Sequence, residues 1–164
     1  MSDEPEILFG IYCPPHPHPL LCPDANEGYA KLRAGFDECR RRIEESDADL
    51  ILVYSTTWPS IIGHQIQALE NAVWTHVDDD FHYLGSMPYE FKIDADFAHA
   101  FKEANEKRGL ESRTVAYEGF PIDTGSIVAL SLLNPENRIP SCIVSSNMYA
   151  NRSETIVLGK AVRD

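Results

Sequence analysis

The sequence has few basic residues and no long apolar run, and each shortage excludes a class of protein. Lys and Arg number 14 against 26 Asp and Glu, a formal net charge of -12, so phosphate backbones and anionic lipid surfaces would find few cations. No apolar run approaches the roughly 20 residues that cross a bilayer, and the opening MSDEPE is acidic where a signal peptide is basic. We therefore expect a cytoplasmic protein that binds neither nucleic acid nor membrane.

Cysteine is scarce as well, and its spacing matches no Cys-x-x-Cys motif. The four cysteines are predicted to be reduced thiols, since no export signal precedes them. Cys13, His16, His18 and Cys22 have the residue types of a zinc site, but the segment 13–23 carries five prolines and cannot easily fold around one tetrahedral ion. Those prolines predict a stiff extended loop that is neither strand nor helix. Gly-rich phosphate loops and a G-x-S-x-G nucleophile motif are absent too.

The sequence does contain apolar runs that alternate with helical patterns. Residues 50–54, LILVY, are typical of a central parallel strand buried on both faces and halted by Pro59, and residues 7–12, ILFGIY, of a second buried strand. Residues 27–46 between them repeat apolar side chains every three or four positions, which predicts an amphipathic helix. This order predicts a right-handed crossover. We expect one α/β domain over residues 1–164, with a mostly parallel central sheet and helices on both faces.

The rest of the chain supplies further elements. Residues 93–108 predict a helix that ends at Gly109, and the acidic run 78–80 predicts a solvated face within an irregular surface excursion over 74–87. The other predicted elements are a short helical turn carrying His64 within 60–70, strands at 114–117 and 139–145, an apolar run of uncertain type at 127–133, and a final helix capped by Ser153.

Polar residues gather where the predicted strands end. His16 and His18 follow the first strand, and Thr57 and Trp58 follow the second. Parallel strands end at the same edge of a sheet, which is where open α/β folds bind ligands, so these side chains should share one edge. Asn147 lies just after the predicted strand at 139–145 and should reach the same edge.

Three histidines are candidate Fe(II) ligands, because imidazoles with open coordination positions commonly hold redox-active iron. They are His16, His18 and His64. A facial triad also needs a carboxylate, and the spacing of the acidic residues does not identify which of them would be that ligand. The alternative is that these are loop histidines hydrogen-bonded to backbone.

Three segments together resemble the class III (LigB-like) extradiol ring-cleavage dioxygenases. They are the first predicted strand with its PHPHPLL loop, the strand ending in STTW, and the IDTG turn followed by an apolar run and IPSCIVSSN. The resemblance implies a LigB-like α/β fold, here shortened at its C-terminus, since family chains are considerably longer. In that family two histidines and a glutamate hold non-haem Fe(II), and O2 opens an aromatic ring beside adjacent hydroxyl or amino groups.

The resemblance also implies that this chain has lost two imidazoles. His16 matches the first metal ligand, but Thr57 stands where catalytic members have the histidine of S-P-H-W, and Thr124 stands where the family often has Asp-His-Gly. The glutamate ligand lies late in the family sequence, beyond the last residue of this chain. A threonine hydroxyl is a poor Fe(II) ligand. The resemblance therefore implies a vestigial pocket, formed by Thr57, Trp58, Asp123, Thr124 and Asn147.

The runs 53–58, 76–82 and 87–89 resemble the metal-free α-type subunit of heteromeric 2-aminophenol 1,6-dioxygenases more than their catalytic subunit. This implies a non-catalytic subunit without a cofactor, which stabilises an iron-bearing paralogue acting on aminophenols or catechols. Two alternatives stay open. One is an Fe(II) metalloenzyme in its own right, using His16 with His18 or His64. The other is a small-molecule binding or regulatory module on the same fold, which as a stable monomer would bind an aromatic compound without turnover. For the partner, a homo-oligomer is the alternative to a complex with the catalytic paralogue.

Overall fold

A four-stranded sheet lies at the centre of the computed structural model, which describes residues 6–164. Residues 1–5 of the predicted domain lie outside the described residues. The strands are β1 (Ile51–Ser60), β2 (His64–Gln67), β3 (Asn71–His76), β4 (Met87–Lys92), β5 (Ser112–Val115) and β6 (Ser141–Asn147). The α-helices are α1 (His18–Leu21), α2 (Glu27–Glu44), α3 (Ala95–Lys107), α4 (Thr124–Leu133) and α5 (Arg152–Ala161).

The sheet has the order β1-β6-β2-β5 and is mostly parallel. β1 pairs in parallel with β6, and β2 with β5, while β2 meets β6 antiparallel. β3 and β4 form a separate antiparallel hairpin. This arrangement confirms the predicted α/β class.

The strand buried on both faces is β6. Ile143 belongs to an apolar cluster formed with α2, α4 and the β3–β4 hairpin, whereas Cys142 and Val144 belong to a second cluster formed with α3 and α5. Successive side chains of a strand point to opposite faces, so the two clusters cover opposite faces of the sheet. Helices therefore lie on both faces, as expected.

The prediction that residues 50–54 form the central strand is wrong in position, although the strand and its parallel pairing are present. Among the described residues β1 pairs with β6 alone and lies at the edge of the sheet. Pro59 does not halt the ladder either, because pairing resumes at Pro59 and Ser60 after an irregularity. An edge strand tolerates proline, since one side of it needs no amide donors.

The predicted strand at residues 7–12 is also wrong. This segment has no strand structure, and Ile7, Leu8, Phe9 and Tyr12 are exposed. Nothing lies within 4 Å of the position a Cβ would take at Gly10, so no neighbouring backbone packs there. An apolar run indicates a preference for burial, but it does not specify a partner strand. Because residues 7–12 form no strand, the predicted right-handed crossover between them and residues 50–54 is absent too.

Most predicted helices are present, and their caps explain their starts. Asn26 begins α2, Asp94 begins α3 and Asp123 begins α4, each accepting a hydrogen bond from a backbone amide three residues on. Gly109, with φ +80, follows the C-cap of α3 and ends that helix, as predicted. The cap of α5 is Asn151 in a capping box with Glu154, and not Ser153.

Three local predictions fail. His64 begins strand β2 and is not on a helical turn. Residues 74–87 are not wholly irregular, because they include the end of β3 and the start of β4. The proline-rich segment contains the one-turn helix α1. Pro17 is its N-cap residue and Pro19 its second residue, where a missing amide donor costs nothing. No helix within residues 6–164 has the length and apolar character to cross a membrane.

Candidate functional site

A bulge in β1 presents Thr57. Ser55 pairs with Ser145 and Pro59 pairs with Ser146, so three residues of β1 oppose no residue of β6. A bulge of this kind bends a strand and redirects its side chains. Thr57 thereby points towards the start of α4.

The carboxylate of Asp123 is the centre of the hydrogen-bond network at this position. Its Oδ1 accepts hydrogen bonds from the hydroxyls of Thr57 at 2.5 Å and Ser55 at 2.8 Å, and from the amide of Ser126 at 3.0 Å. Its Oδ2 accepts from the hydroxyl of Ser126 at 2.7 Å. Four donors on two oxygens leave the carboxylate little capacity for a metal ion. Asp123 therefore joins the end of β1 to the N-terminus of α4.

Gly125 has to be glycine for this contact to form. A Cβ built there would lie 2.5 Å from Thr57 Oγ1 and 3.0 Å from the Cβ of Pro15. The proline-rich segment, the end of β1 and the start of α4 thus meet at one point. Pro15 therefore lies near Thr57, although no first strand delivers the proline-rich segment to an edge of the sheet.

A second network lies beside the first. The hydroxyl of Thr124 donates to Asp78 Oδ2 and lies 3.0 Å from His76 Nε2. Thr124 is buried, and Asp78 Oδ1 also accepts from the amides of Asp80 and Phe81. The predicted solvated face is therefore wrong for Asp78, which fastens the loop after β3 to α4.

The hydrogen bonds on Asp78 change its acidity. Burial alone would raise the pKa of this carboxyl, but the hydrogen bonds from Thr124, Phe81 and Asp80, helped by the nearby His76, outweigh burial and hold the pKa below its ordinary value. Asp78 therefore stays ionised to a lower pH than an ordinary aspartate does.

His16 and His18 lie in an aromatic cluster. Their rings are 6.3 Å apart, and both meet the ring of Phe81 edge-on. His18 also stacks on Tyr29 at 4.4 Å, and its Nδ1 is buried without a hydrogen-bond partner among the described residues. His18 is therefore held by aromatic contacts, and not by the hydrogen bonds to backbone that the loop-histidine alternative predicted.

The other predicted site residues are dispersed. His64 is 1% exposed in β2, with its Nδ1 3.1 Å from the carbonyl oxygen of Ser145. Asn147 makes a local hydrogen bond with the amide of Tyr149. Trp58 packs against Phe120 with ring centroids 5.4 Å apart. Of the predicted pocket, the structure brings Thr57, Asp123 and Thr124 together, and Trp58 borders a narrow apolar slot with Asp123.

The donor set does not fit Fe(II), the metal that the resemblance implies. No three His, Cys, Asp or Glu side chains in residues 6–164 form a group able to hold a metal ion. Thr57 offers a hydroxyl that is already donated to Asp123. A facial triad needs three ligands on one side of the metal, and the described residues do not provide one.

Sequence reasoning did not single out Ser55, Ser126, His76 or Asp78 as site residues. The spacing of Asp123 and Ser126 ahead of an apolar run is a helix-start signal, so that pair was detectable. Contact between Thr124 and Asp78 joins residues 46 positions apart, which no local pattern records.

Two curated relatives and one solved structure are similar to this chain. The α subunit of 2-aminophenol 1,6-dioxygenase from Pseudomonas sp. is 30% identical over 150 residues, which cover 91% of this chain and 55% of that subunit. The β subunit from Pseudomonas sp. is also 30% identical, over 97% of this chain and 57% of its own length. A crystal structure of the uncharacterised Escherichia coli K12 protein JW3007 has 18% identity and a TM-score of 0.48, covering 70% of this chain and 39% of that one.

The chain spans little more than half the length of both curated relatives. Equal identity to the two subunits means that identity does not separate an α-type from a β-type chain. Residues 10–164 match the family described as the catalytic LigB subunit of aromatic ring-opening dioxygenase, and the chain therefore belongs to the LigB family.

Proposed function

We propose that this chain is a non-catalytic, α-type subunit that stabilises an iron-bearing paralogue, and that the complex cleaves the ring of an aminophenol or catechol. The observation that carries the proposal is the engagement of Thr57. Its hydroxyl is 2.5 Å from Asp123, at the position where the family resemblance calls for a ligating imidazole. A hydroxyl that donates to a carboxylate supports packing and not iron binding.

The two curated relatives support a paired assembly, because they are named as the α and β subunits of one dioxygenase. The alternative of iron bound by this chain alone is less well supported. His64 faces the carbonyl of Ser145 inside the sheet. His16 and His18 lie 6.3 Å apart, but among residues 6–164 no third His, Cys, Asp or Glu completes a metal-binding group with them.

An exposed apolar surface supports a protein partner. The β3–β4 hairpin carries an open, shallow depression, lined by Val73, Trp74, Thr75, Pro88, Tyr89 and Glu90. Trp74 is 58% exposed although its cross-strand neighbour Tyr89 is buried. Exposed apolar patches mark interaction sites, and tryptophan is a frequent interface anchor. We assign this hairpin depression to the iron-bearing paralogue.

The test is to tag the chain in the organism that produces it, purify it under native conditions, and measure the mass and the metal content of the complex. We expect a complex with a second LigB-family chain, iron in that complex, and less than a tenth of an equivalent of iron in this chain after separation. Stoichiometric iron in the isolated chain, with O2 uptake on 2-aminophenol, would overturn the proposal.

A pair of variants locates the interface. Trp74→Glu should release the partner, because it replaces an exposed aromatic side chain of the hairpin depression by a charge. Ile156→Glu is the matched control, since Ile156 is 49% exposed on α5, and α5 packs on the opposite face of the sheet. Equal retention of the partner by both variants would exclude the hairpin depression as the interface.

A further inference from the structure

The side of β1 that faces away from β6 is an open edge of the sheet. β1 pairs with β6 alone, and within residues 6–164 no backbone hydrogen bond joins another segment to its far side. Such an edge presents a row of unpaired N–H and C=O groups, to which a further strand can add. The pairing of β1 with β6 is regular over residues 51–55 and shifts after Ser55. We refer to the open side of residues 51–55 as the β1 edge.

The β1 edge lacks the features that usually prevent a strand from adding to a sheet. Those features are charged side chains, prolines and bulges. Pro59 and the bulge lie beyond Ser55, so they protect only the later part of β1. Residues 50–63 contain no Asp, Glu, Lys or Arg. The earlier part of β1 is therefore regular, uncharged and available for pairing.

The hydrogen bonds to β6 determine which residues of the β1 edge are free to pair. The amide of Ile51 donates to the carbonyl of Pro140, just before β6, at 3.1 Å. The backbone groups of successive residues in a strand point to opposite sides. Val53 therefore points to β6 as Ile51 does, while Leu52 and Tyr54 point outward. Each of these two residues offers one free donor and one free acceptor.

Two free residues separated by one match a second copy of themselves. In an antiparallel pair with a two-fold axis at Val53, Leu52 lies opposite Tyr54 of the second copy, and Tyr54 lies opposite Leu52 of that copy. Each such pair exchanges two N–H···O bonds, which gives four across the axis. The side chain of Tyr54, which is 43% exposed, then packs on Leu52 of the second copy, as aromatic and long side chains do in cross-strand pairs.

Exposed apolar side chains lie near the β1 edge and enlarge this surface. Ile11 packs against the same apolar cluster as Ile51 and Val53. The residues just before it extend from that face of the sheet, and three of them are exposed apolar residues, namely Ile7, Leu8 and Phe9. A stable dimer buries more surface than five strand residues supply, and these side chains provide a source of that additional apolar area.

The net charge favours an uncharged contact between copies. Two chains that each carry a formal charge of -12 repel one another, so a stable contact has to keep acidic side chains apart. Every residue opposed in the two-fold register over 51–55 is uncharged. A different chain would need a strand that happens to match the free groups of Leu52 and Tyr54, whereas a second copy matches them by symmetry.

We propose that the β1 edge is a self-association surface. Two copies of the chain join their sheets there, through antiparallel β1 strands related by a two-fold axis at Val53. The contact uses the backbone of an edge strand and not the hairpin depression, so it is independent of the proposed complex with the paralogue. Failure of either one leaves the other standing.

Sedimentation of the purified chain over a hundredfold range of concentration tests the dimer. We expect a particle of twice 18.4 kDa at high concentration, which dissociates on dilution. Added salt should strengthen the association, because it screens the repulsion between two acidic copies. A monomer at every concentration would overturn the proposal.

Tyr54→Glu is the variant that locates the contact, since it places a charge on the β1 edge. It should weaken dimerisation at least tenfold. Tyr117→Glu is the matched control with the same change in charge. Tyr117 is 61% exposed and follows β5, at the opposite edge of the sheet, so this variant should change the dissociation constant less than twofold. Equal weakening by the two variants would exclude the β1 edge.

Amide hydrogen exchange in the unmutated chain does not depend on the folding of a variant. The amides of Leu52 and Tyr54 should exchange at least tenfold more slowly at the dimer concentration than at the monomer concentration. Those of Ile51 and Val53, which face β6, should be protected equally at both. A dimer with unprotected Leu52 and Tyr54 would use another surface. Protection of both at every concentration would mean that a segment of the same chain covers the edge, and either result would overturn the proposal.

Discussion

At the scale of single residues, one missing methyl group at position 125 permits the contact between Thr57 and Asp123. Gly125→Ala should destabilise the protein by about 1–3 kcal/mol through overpacking, because its Cβ would lie 2.5 Å from Thr57 Oγ1. In a Thr57→Ala background the same change should cost less than half as much, since part of the obstruction has gone. Urea unfolding of the four proteins in this double-mutant cycle measures the coupling.

Gly159 provides the control for that cycle. Nothing lies within 4 Å of a Cβ built at Gly159 in α5, so Gly159→Ala should stabilise the protein by roughly 0.5–1 kcal/mol. If the two alanine variants behaved alike, the close approach of Thr57 would have no energetic consequence.

Asp123 is the residue whose loss should be most damaging in the network. Asp123→Ala removes the cap of α4 and leaves the hydroxyls of Ser55 and Ser126 without their acceptor. We expect a loss of about 2–4 kcal/mol in the free energy of unfolding, measured in urea, from the cap and the unpaired groups together. Asp80→Ala, at an exposed carboxylate beside the network, should stay within about 0.5 kcal/mol of the parent. A similar loss in both variants would contradict a specific role for Asp123.

At the scale of elements, the Thr124–Asp78 hydrogen bond ties the loop after β3 to α4. The lowered pKa of Asp78 means that its stabilising effect is fully present above the ordinary carboxyl pKa of about 4. The effect is lost as the pH falls through the lowered pKa of the folded state. Thr124→Val removes the hydroxyl, so the stability difference between parent and variant should be constant near pH 5 and shrink towards pH 3.

Urea unfolding at pH 5, 4 and 3 measures that difference. Thr155→Val is the control, because the Thr155 hydroxyl bonds a backbone carbonyl on α5 and no carboxylate. Its difference from the parent should not depend on pH over this range. A Thr124→Val difference that stayed flat down to pH 3 would show that Asp78 is not held by Thr124.

Elements with strong local signals were predictable from the sequence. The apolar periodicity of α2 and α3 and the capping residues Asn26 and Asp94 act within one helix, so the sequence records them directly. Pairing partners are a different matter. The run at 7–12 is as apolar as the run at 50–54, yet only the second is a strand, because a ladder depends on what lies beside it.

The candidate site divides in the same way. Thr57 and Asp123 were identified as pocket residues from a motif resemblance, but their direct hydrogen bond depends on a bulge that no sequence pattern marked. His64 was expected on a helical turn and lies in β2, since a four-residue strand with mixed polarity has too little periodicity to recognise.

At the scale of the whole molecule, β6 separates the two apolar clusters, and Cys142 lies in its centre with no exposed surface. Burial, with a smaller contribution from Asp94, raises the pKa of the Cys142 thiol to about 12. The thiolate is the reactive form, so Cys142 should resist iodoacetamide at pH 8 for as long as the sheet stays closed. Mass spectrometry of the labelled peptides measures this, and half-buried Cys22 should be labelled first.

Labelling of Cys142 should therefore follow global unfolding and respond to a distant change. If Asp123→Ala costs at least about 2 kcal/mol, the open population rises roughly 30-fold, because each 1.4 kcal/mol is a factor of ten. Labelling of Cys142 should accelerate by that factor, while the rate at Cys22 stays nearly constant. Labelling of Cys142 as fast as Cys22 in the parent protein would show that β6 opens locally, and that the two clusters do not fold as one cooperative unit.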